Sequence, residues 1–382
     1  MSAGKTKSAY SGNNEVSLIR GGTDYFSLLE QLIDKACSSI YIRMYIWDDD
    51  ETGTAVASQL IKAANRGVQI FIVADGYASQ TLSNKFLKDL RQAGIQFHYF
   101  EPLLKSSQFY FGRRLHEKLI VIDEYTALIG GINLADRYRG TDHEAAWLDY
   151  AVCLHGDAAH ELYRYCAKEF HRTQSVLLSV IPHAIENDCS VRVRYNDWVK
   201  GQQQIWKTYF NWFNQAEESI TIMCSYFLPG RVLRHRMRKA AKRGVRIKLI
   251  LAGPSDIMLA KYAERYLYRW MLRNGMEIYE YQPSVLHAKL MVVDRHWVTI
   301  GSYNVNNIST YASKEVNVDI RNKPFASLVQ EEMEKIIRES CVRVNETGPL
   351  VHVGWFKRGL QKSSYELIRL ILNLTTFYFK QE

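Results

Sequence analysis

The chain carries one motif twice, and that repetition constrains its fold more than any other feature. Leu115-His-Glu-Lys-Leu-Ile-Val-Ile-Asp123 returns as Leu286-His-Ala-Lys-Leu-Met-Val-Val-Asp294. After six further residues each copy reaches a glycine step, Gly130-Gly-Ile-Asn133 in the first and Gly301-Ser-Tyr-Asn304 in the second. Three upstream blocks recur in the same order. Ser39-Ile-Tyr-Ile matches Ser219-Ile-Thr-Ile, Ala64-Asn-Arg-Gly-Val-Gln-Ile matches Ala241-Lys-Arg-Gly-Val-Arg-Ile, and Ala93-Gly-Ile matches Asn274-Gly-Met. Ordered self-similarity of this extent argues for duplication of a whole domain. The length of 382 residues agrees, since it exceeds what one hydrophobic core usually serves.

Within each copy the pattern is α/β. Helical periods near 24–36, 54–66 and 80–92 alternate with apolar runs at 40–46, 68–74 and 95–100. The second half repeats this with helices near 204–216, 231–243 and 259–273 and runs at 219–225, 245–251 and 276–281. Gly67 and Gly94 follow two of the helices, where a left-handed cap is wanted. Such alternation predicts two similar domains, each a mostly parallel or mixed sheet flanked by helices. The expected layout is a flexible N-terminus over 1–14, a first domain over 15–182 and a second over 201–345. A linker over 183–200, around Pro182, Asn187, Asp188 and Asn196, joins them, and a C-terminal segment fills 346–382 with a helix from about 363 to 379.

On a strand, residues i and i+2 face the same way, so His116 and Lys118 project together, as do His287 and Lys289. Asp123 and Asp294 stand at the far ends of those strands, where local pairing would suit them. The glycine steps permit close backbone approach, and Asn133, Asn304 and Ser302 follow as donors. If the halves meet, two imidazoles, two ammonium groups and two amides converge. Ammonium groups and amides stabilise charge on the non-bridging oxygens of a phosphoryl group. One imidazole can attack phosphorus while the other protonates the leaving oxygen and then deprotonates an incoming alcohol or water. No metal or other cofactor is required, because the lysines neutralise the charge. A zinc site is disfavoured too, since no Cys/His cluster accompanies the motif. Each histidine wants a carboxylate on its second ring nitrogen. Glu315 and Asp149, at the starts of two similar strands, are candidates, with Glu144 an alternative in the first half.

These residues resemble the paired HKD signature of the phospholipase D superfamily, over about 16–345. The resemblance implies two domains around a pseudo-twofold axis and a phosphohistidine intermediate. It casts His116, Lys118, Asp123, His287, Lys289 and Asp294 as catalytic, with His116 the nucleophile and His287 the acid/base. Tyr45-Ile-Trp-Asp-Asp-Asp-Glu-Thr-Gly53, Tyr226-Phe-Leu-Pro229, Ala252-Gly-Pro-Ser-Asp256 and Ile278-Tyr-Glu-Tyr-Gln-Pro283 resemble segments of bacterial cardiolipin synthases. The implied reaction moves a phosphatidyl group onto phosphatidylglycerol. Phosphatidylglycerol is then the donor, or phosphatidylethanolamine in its place. The chain lacks the N-terminal transmembrane hairpin many such synthases carry and resembles the shorter kind.

The net charge of +9 suits an anionic partner. Arg231, Arg234, Arg238 and Lys242 fall near one helical face, fit for anionic headgroups, a nucleic-acid backbone or plain solvation. The C-terminal pattern Leu367, Ile368, Ile371, Leu372, Leu374, Tyr378 and Phe379 lies near Trp355, Phe356, Lys357, Arg358 and Lys362. That pattern suits either an interfacial membrane anchor or a helix packed on the protein's own core. No signal peptide and no span of about 18 apolar residues is visible, so the protein is expected in the cytoplasm or on a membrane face open to it, which the resemblance makes the cytoplasmic face of a bacterial inner membrane, held peripherally. The six cysteines form no CxxC pair and read as buried free thiols. Competing functions are a phospholipase using water, a metal-independent nuclease, for which nucleic acid is the less favoured partner, and a lipid-binding scaffold.

Overall fold

A computed structural model describes residues 9–102, 113–170 and 188–377. Its first half runs β1 Asn14–Arg20, α1 Thr23–Lys35, β2 Ser39–Met44, α2 Glu51–Asn65, β3 Gln69–Asp75, α3 Asn84–Gln92 and β4 Gln96–Phe100. It continues with β5 Arg114–Leu115, β6 Lys118–Ile122, β7 Thr126–Gly130, α4 Asp136–Arg139, β8 Tyr150–Gly156 and α5 Asp157–Phe170. The second half opens with β9 Ser190–Asp197, β10 Gln202–Gln203, α6 Gln204–Gln215, β11 Ser219–Cys224, α7 Arg231–Lys242, β12 Arg246–Ala252 and α8 Met258–Arg273. It closes with β13 Glu277–Tyr281, β14 Lys289–Val293, β15 Trp297–Gly301, α9 Asn307–Tyr311, β16 Ser313–Arg321, α10 Lys323–Ser340, β17 Cys341–Val344 and α11 Trp355–Phe377.

The two sheets share one topology. The first is ordered β1-β8-β7-β6-β2-β3-β4, and the second contains β9-β16-β15-β14-β11-β12-β13 in the corresponding places. Both sheets are mixed. Within each sheet's main path, pairing among the described residues is parallel from β2 through β4 and from β11 through β13, where a helix provides each crossover, and antiparallel elsewhere. Asp50 caps α2 by accepting Gly53 N at 2.8 Å, and Ser83 caps α3 by accepting Phe86 N at 3.1 Å. Gly67 and Gly94 leave α2 and α3 at φ 99° and 80°, as the sequence predicts.

The stretch expected to be a linker proves different. Ser190–Asp197 is β9, an inner strand of the second sheet and the counterpart of β1. Its alternation of Val191 and Val193 with Arg192 and Arg194 is short and charged, which hid it. Pro182 and Asn187 lie outside the described residues. So does most of the polar N-terminal stretch, but Ser11 pairs with Val191 through two backbone bonds of 2.8 and 3.0 Å, and Asn14 is buried.

One central core joins the halves. It contains Leu119, Val121 and Ile129 from the first sheet, Leu290, Val292 and Ile300 from the second, and the apolar faces of α5 and α10. A second core lies under α1 to α3, and a third under α6 to α8. Fusion through a shared core holds the motif-bearing strands in fixed relation.

Helix α11 starts at Trp355, earlier than the sequence pattern suggests, and packs along α8. Gln361 and Ser364 are buried, and Tyr365 meets Tyr266 at 5.1 Å. Trp355, Phe356, Leu360, Leu367 and Leu370 are exposed. One face therefore docks on the protein while apolar side chains remain outside. Tyr378 and Phe379 lie outside the described residues. No helix among the described residues is long and apolar enough to cross a membrane. All six cysteines are free; Cys37 is exposed, Cys341 half-buried and the other four buried.

Candidate active site

Two short crossings between the halves build the site. Leu115 of β5 pairs in parallel with Lys314 of β16, and His116 N donates to Lys314 O at 3.0 Å. In the mirror arrangement Leu286 bridges Leu148, and His287 N donates to Leu148 O at 2.7 Å. Each histidine thereby lands beside a carboxylate at the start of a strand of the other half, Glu315 within β16 or Asp149 just before β8. His116 Nδ1 lies 2.9 Å from Glu315 Oε2, and His287 Nδ1 lies 2.7 Å from Asp149 Oδ2. A carboxylate on Nδ1 fixes each ring and keeps Nε2 for a substrate; in His287 that nitrogen lies 3.4 Å from Tyr138 Oη.

The lysines follow two residues on. Lys118 Nζ donates to His116 O at 2.8 Å and sits 4.6 Å from the Tyr45 ring centroid. Lys289 Nζ lies 3.0 Å from His287 Nδ1 and 3.5 Å from Ser225 Oγ. All four groups act on one another. Burial, then Lys118 and Lys289, push the His116 imidazole well below the ordinary histidine range. Burial, then Lys289, Lys118 and His116, do the same to His287. Burial pushes the Lys118 ammonium well below its usual range, aided by Lys289, and lowers Lys289 as well. Burial raises Asp149 to about 7 and Glu315 to about 8. A buried cationic cluster of this kind is short of negative charge, and an incoming phosphodiester anion supplies it.

Several sequence expectations change. Asp123 and Asp294, placed with the catalytic groups, lie at the opposite ends of β6 and β14. Five residue steps along the strand separate each from its lysine, roughly 16 Å. Asp123 accepts from Cys37, Ser38 and Ser39 N at 2.8, 2.7 and 3.0 Å, and Asp294 from Glu217, Glu218 and Ser219 N at 3.0, 2.9 and 2.8 Å. They tie a helix-to-strand turn to the next strand and do not touch the site. Asn133 turns its carbonyl to Ile46 N at 3.0 Å and its amide to Tyr138 Oη at 2.7 Å, so it positions the Tyr138 ring packed on His287. Ser302 gives its hydroxyl to Glu315 at 2.6 Å, beside His116. Asn304 accepts from Ser225 Oγ at 2.9 Å beside Lys289. Glu144 is exposed and meets neither histidine.

Gly131 and Ser302 occupy equivalent places with different tasks. A Cβ at Gly131 would stand 2.4 Å from Asp149 Oδ1, so glycine makes the room that the carboxylate fills. Sequence reasoning missed a buried group beneath His116. Arg43 binds Glu117 and Glu169, Tyr165 binds Glu117, and Lys314 lies over the Tyr165 ring at 5.7 Å. The signal was Glu117, a charge in the first motif where the second carries Ala288. Asp75 is missed as well: it accepts Leu115 N at 2.8 Å and anchors the crossing. Among the described residues no set of three His, Cys, Asp or Glu side chains is placed to hold a metal.

Two like halves closing on one site of paired imidazoles and ammonium groups define the phospholipase D superfamily of phosphodiester-transferring and phosphodiester-hydrolysing enzymes. The family model described as cardiolipin synthase, phospholipase D-like domain, matches residues 29–173 and 209–337, and the chain belongs to that family. Cardiolipin synthase B of Escherichia coli K12 is 31% identical over 352 residues, 89% of this chain and 84% of that protein. A cardiolipin synthase of Halalkalibacterium halodurans is 27% identical over 368 residues, 93% of this chain and 71% of that protein. The fold is shared with phosphatidylserine synthase of Haemophilus influenzae Rd KW20, with a TM-score of 0.73 at 16% identity over 96% of this chain and 97% of that one.

Proposed function

We propose that the chain is a phosphatidyltransferase that joins a phosphatidyl group to a hydroxyl of phosphatidylglycerol, giving cardiolipin. His116 Nε2 attacks the phosphorus of a phospholipid and forms a phosphorus–nitrogen bond. The bond from phosphorus to the headgroup oxygen breaks, and His287 gives its proton to that oxygen. The hydroxyl of phosphatidylglycerol then attacks phosphorus, its proton passes to His287, and His116 is released. Lys118 and Lys289 neutralise charge on the non-bridging oxygens throughout. The observation that carries this reading is the crossed pairing, in which each half orients the other's histidine at 2.9 and 2.7 Å. The roles of nucleophile and acid/base follow family resemblance. The exposed apolar face of α11 supports peripheral attachment to a membrane, taken here as the cytoplasmic face of the inner membrane.

Purified protein in phosphatidylglycerol vesicles should release glycerol and yield cardiolipin, read by lipid mass spectrometry. Added ethanol should divert label into phosphatidylethanol. Exclusive formation of phosphatidic acid under both conditions would make the protein a hydrolase, and absence of turnover with phosphatidylglycerol and phosphatidylethanolamine alike would reject both.

A further inference from the structure

A groove of about 340 Å³ opens on the flank of the second half, where α7, α9 and α11 meet. None of the groups assigned to the reaction lines it, although Tyr303 and Val305, the chain neighbours of Asn304, stand in its wall. The volume lies within the range of about 300–1,000 Å³ common to small-molecule sites. Its charged lining is entirely cationic among the described residues: Arg231, Arg234 and Arg369. Arg369 has a partner outside the groove, Glu366 at 3.1 Å. Arg234 is held over Trp270 at 5.6 Å, and its buried Nε has no acceptor among the described residues. The remaining wall is mixed, with Trp206, Leu228, Tyr365 and Ile368 apolar or aromatic and Asn306 and Thr310 polar. Val232 at the rim is 55% exposed, and Ile368 of α11 lines the same groove.

Guanidinium groups without carboxylate neighbours suit phosphate oxygens, which accept paired hydrogen bonds from them. Exposed hydrocarbon beside them suits acyl chains, whose burial removes apolar area from water on both sides. Inorganic phosphate would leave that wall wet, and an uncharged lipid would leave Arg234 unpaired. We infer that this groove holds an intact anionic glycerophospholipid as a non-reacting ligand, phosphate on the arginines and acyl chains over Val232 and Ile368. The choice of a phospholipid rests on the proposed function; the groove's chemistry does not depend on turnover.

The test uses the full chain carrying His116→Ala, so that no lipid is consumed. Dihexanoyl phosphatidylglycerol below its micelle concentration is the probe, counted by native mass spectrometry and titrated by calorimetry. Two lipids per chain are expected, one in the reaction site and one in the groove. Arg231→Gln with Arg234→Gln should weaken one of them at least tenfold and leave one. Val232→Asp, at an exposed position, should do the same and decides the matter if the arginine pair fails to fold. A count of one in the parent that falls to none in these variants supports the groove and counts against the proposed substrate. A count unchanged by both variants, no bound lipid at all, or displacement by an equal concentration of inorganic phosphate would overturn the inference.

Discussion

Replacing Glu315 by Gln should slow formation of the covalent intermediate without unfolding the protein. Glu315 is fully buried, receives Ser302 Oγ at 2.6 Å and faces His116 Nδ1 at 2.9 Å. When His116 takes the phosphatidyl group its ring becomes cationic, and the carboxylate is the anion nearest to it. Two unit charges about 4 Å apart at an effective dielectric constant near 20 attract by about 4 kcal/mol. Loss of about 3–4 kcal/mol from the transition state lowers the rate by about 10²–10³. Gln has the same shape and still accepts from Ser302. The fold itself loses little, because burial already holds the Glu315 carboxyl at about 8, near neutral in the empty site. Rapid quench with phosphatidyl-labelled lipid, followed by counting alkali-stable, acid-labile label on the protein, measures the step directly. If Glu315→Gln forms the labelled enzyme within threefold of the wild-type rate while melting at the same temperature, the carboxylate is not the partner of the charged ring.

Other expectations use the same geometry. His287→Ala, lacking both the acid for the leaving oxygen and the base for the incoming hydroxyl, should label slowly and lose the label more slowly still, whereas His116→Ala should carry no label; the reverse pattern would exchange the two roles. Gly131→Ala should push the Asp149 carboxylate from His287, since the new methyl would stand 2.4 Å from its oxygen, and activity should fall at least tenfold with a smaller loss in melting temperature. Asp149→Asn should show a pH-dependent gain in stability. Burial raises the folded-state value to about 7 from 3.8, so the native residue contributes stability at acid pH that is lost as pH rises through about 7. That loss is at most about 4 kcal/mol, and losing the hydrogen bond to His287 offsets about 1–3 of it. The melting temperature of Asp149→Asn relative to wild type should therefore be higher at pH 8 than at pH 5, and an opposite trend in thermal denaturation would contradict the assigned shift.

Much of this was legible in the chain. Spacing alone located the duplication, because a repeated motif keeps its register wherever the halves are placed. The period of the apolar residues gave the alternating helices and strands to within a few residues, and Glu315 and Asp149 stood out as carboxylates opening equivalent strands. The chain could not say that the carboxylate of one half serves the histidine of the other. That follows from β5 pairing with β16 and Leu148 with Leu286, contacts made only once the shared core has closed. Asp123 and Asp294 read two ways: strand periodicity puts them at the far ends with local pairing, while the family resemblance casts them as catalytic, and the structure sides with the periodicity. Strand β9 escaped because its pattern is brief and its burial comes from β16 beside it. Sequence period reports what a segment does locally, whereas which groups become neighbours depends on how separate segments pack, and that is a property of the folded whole.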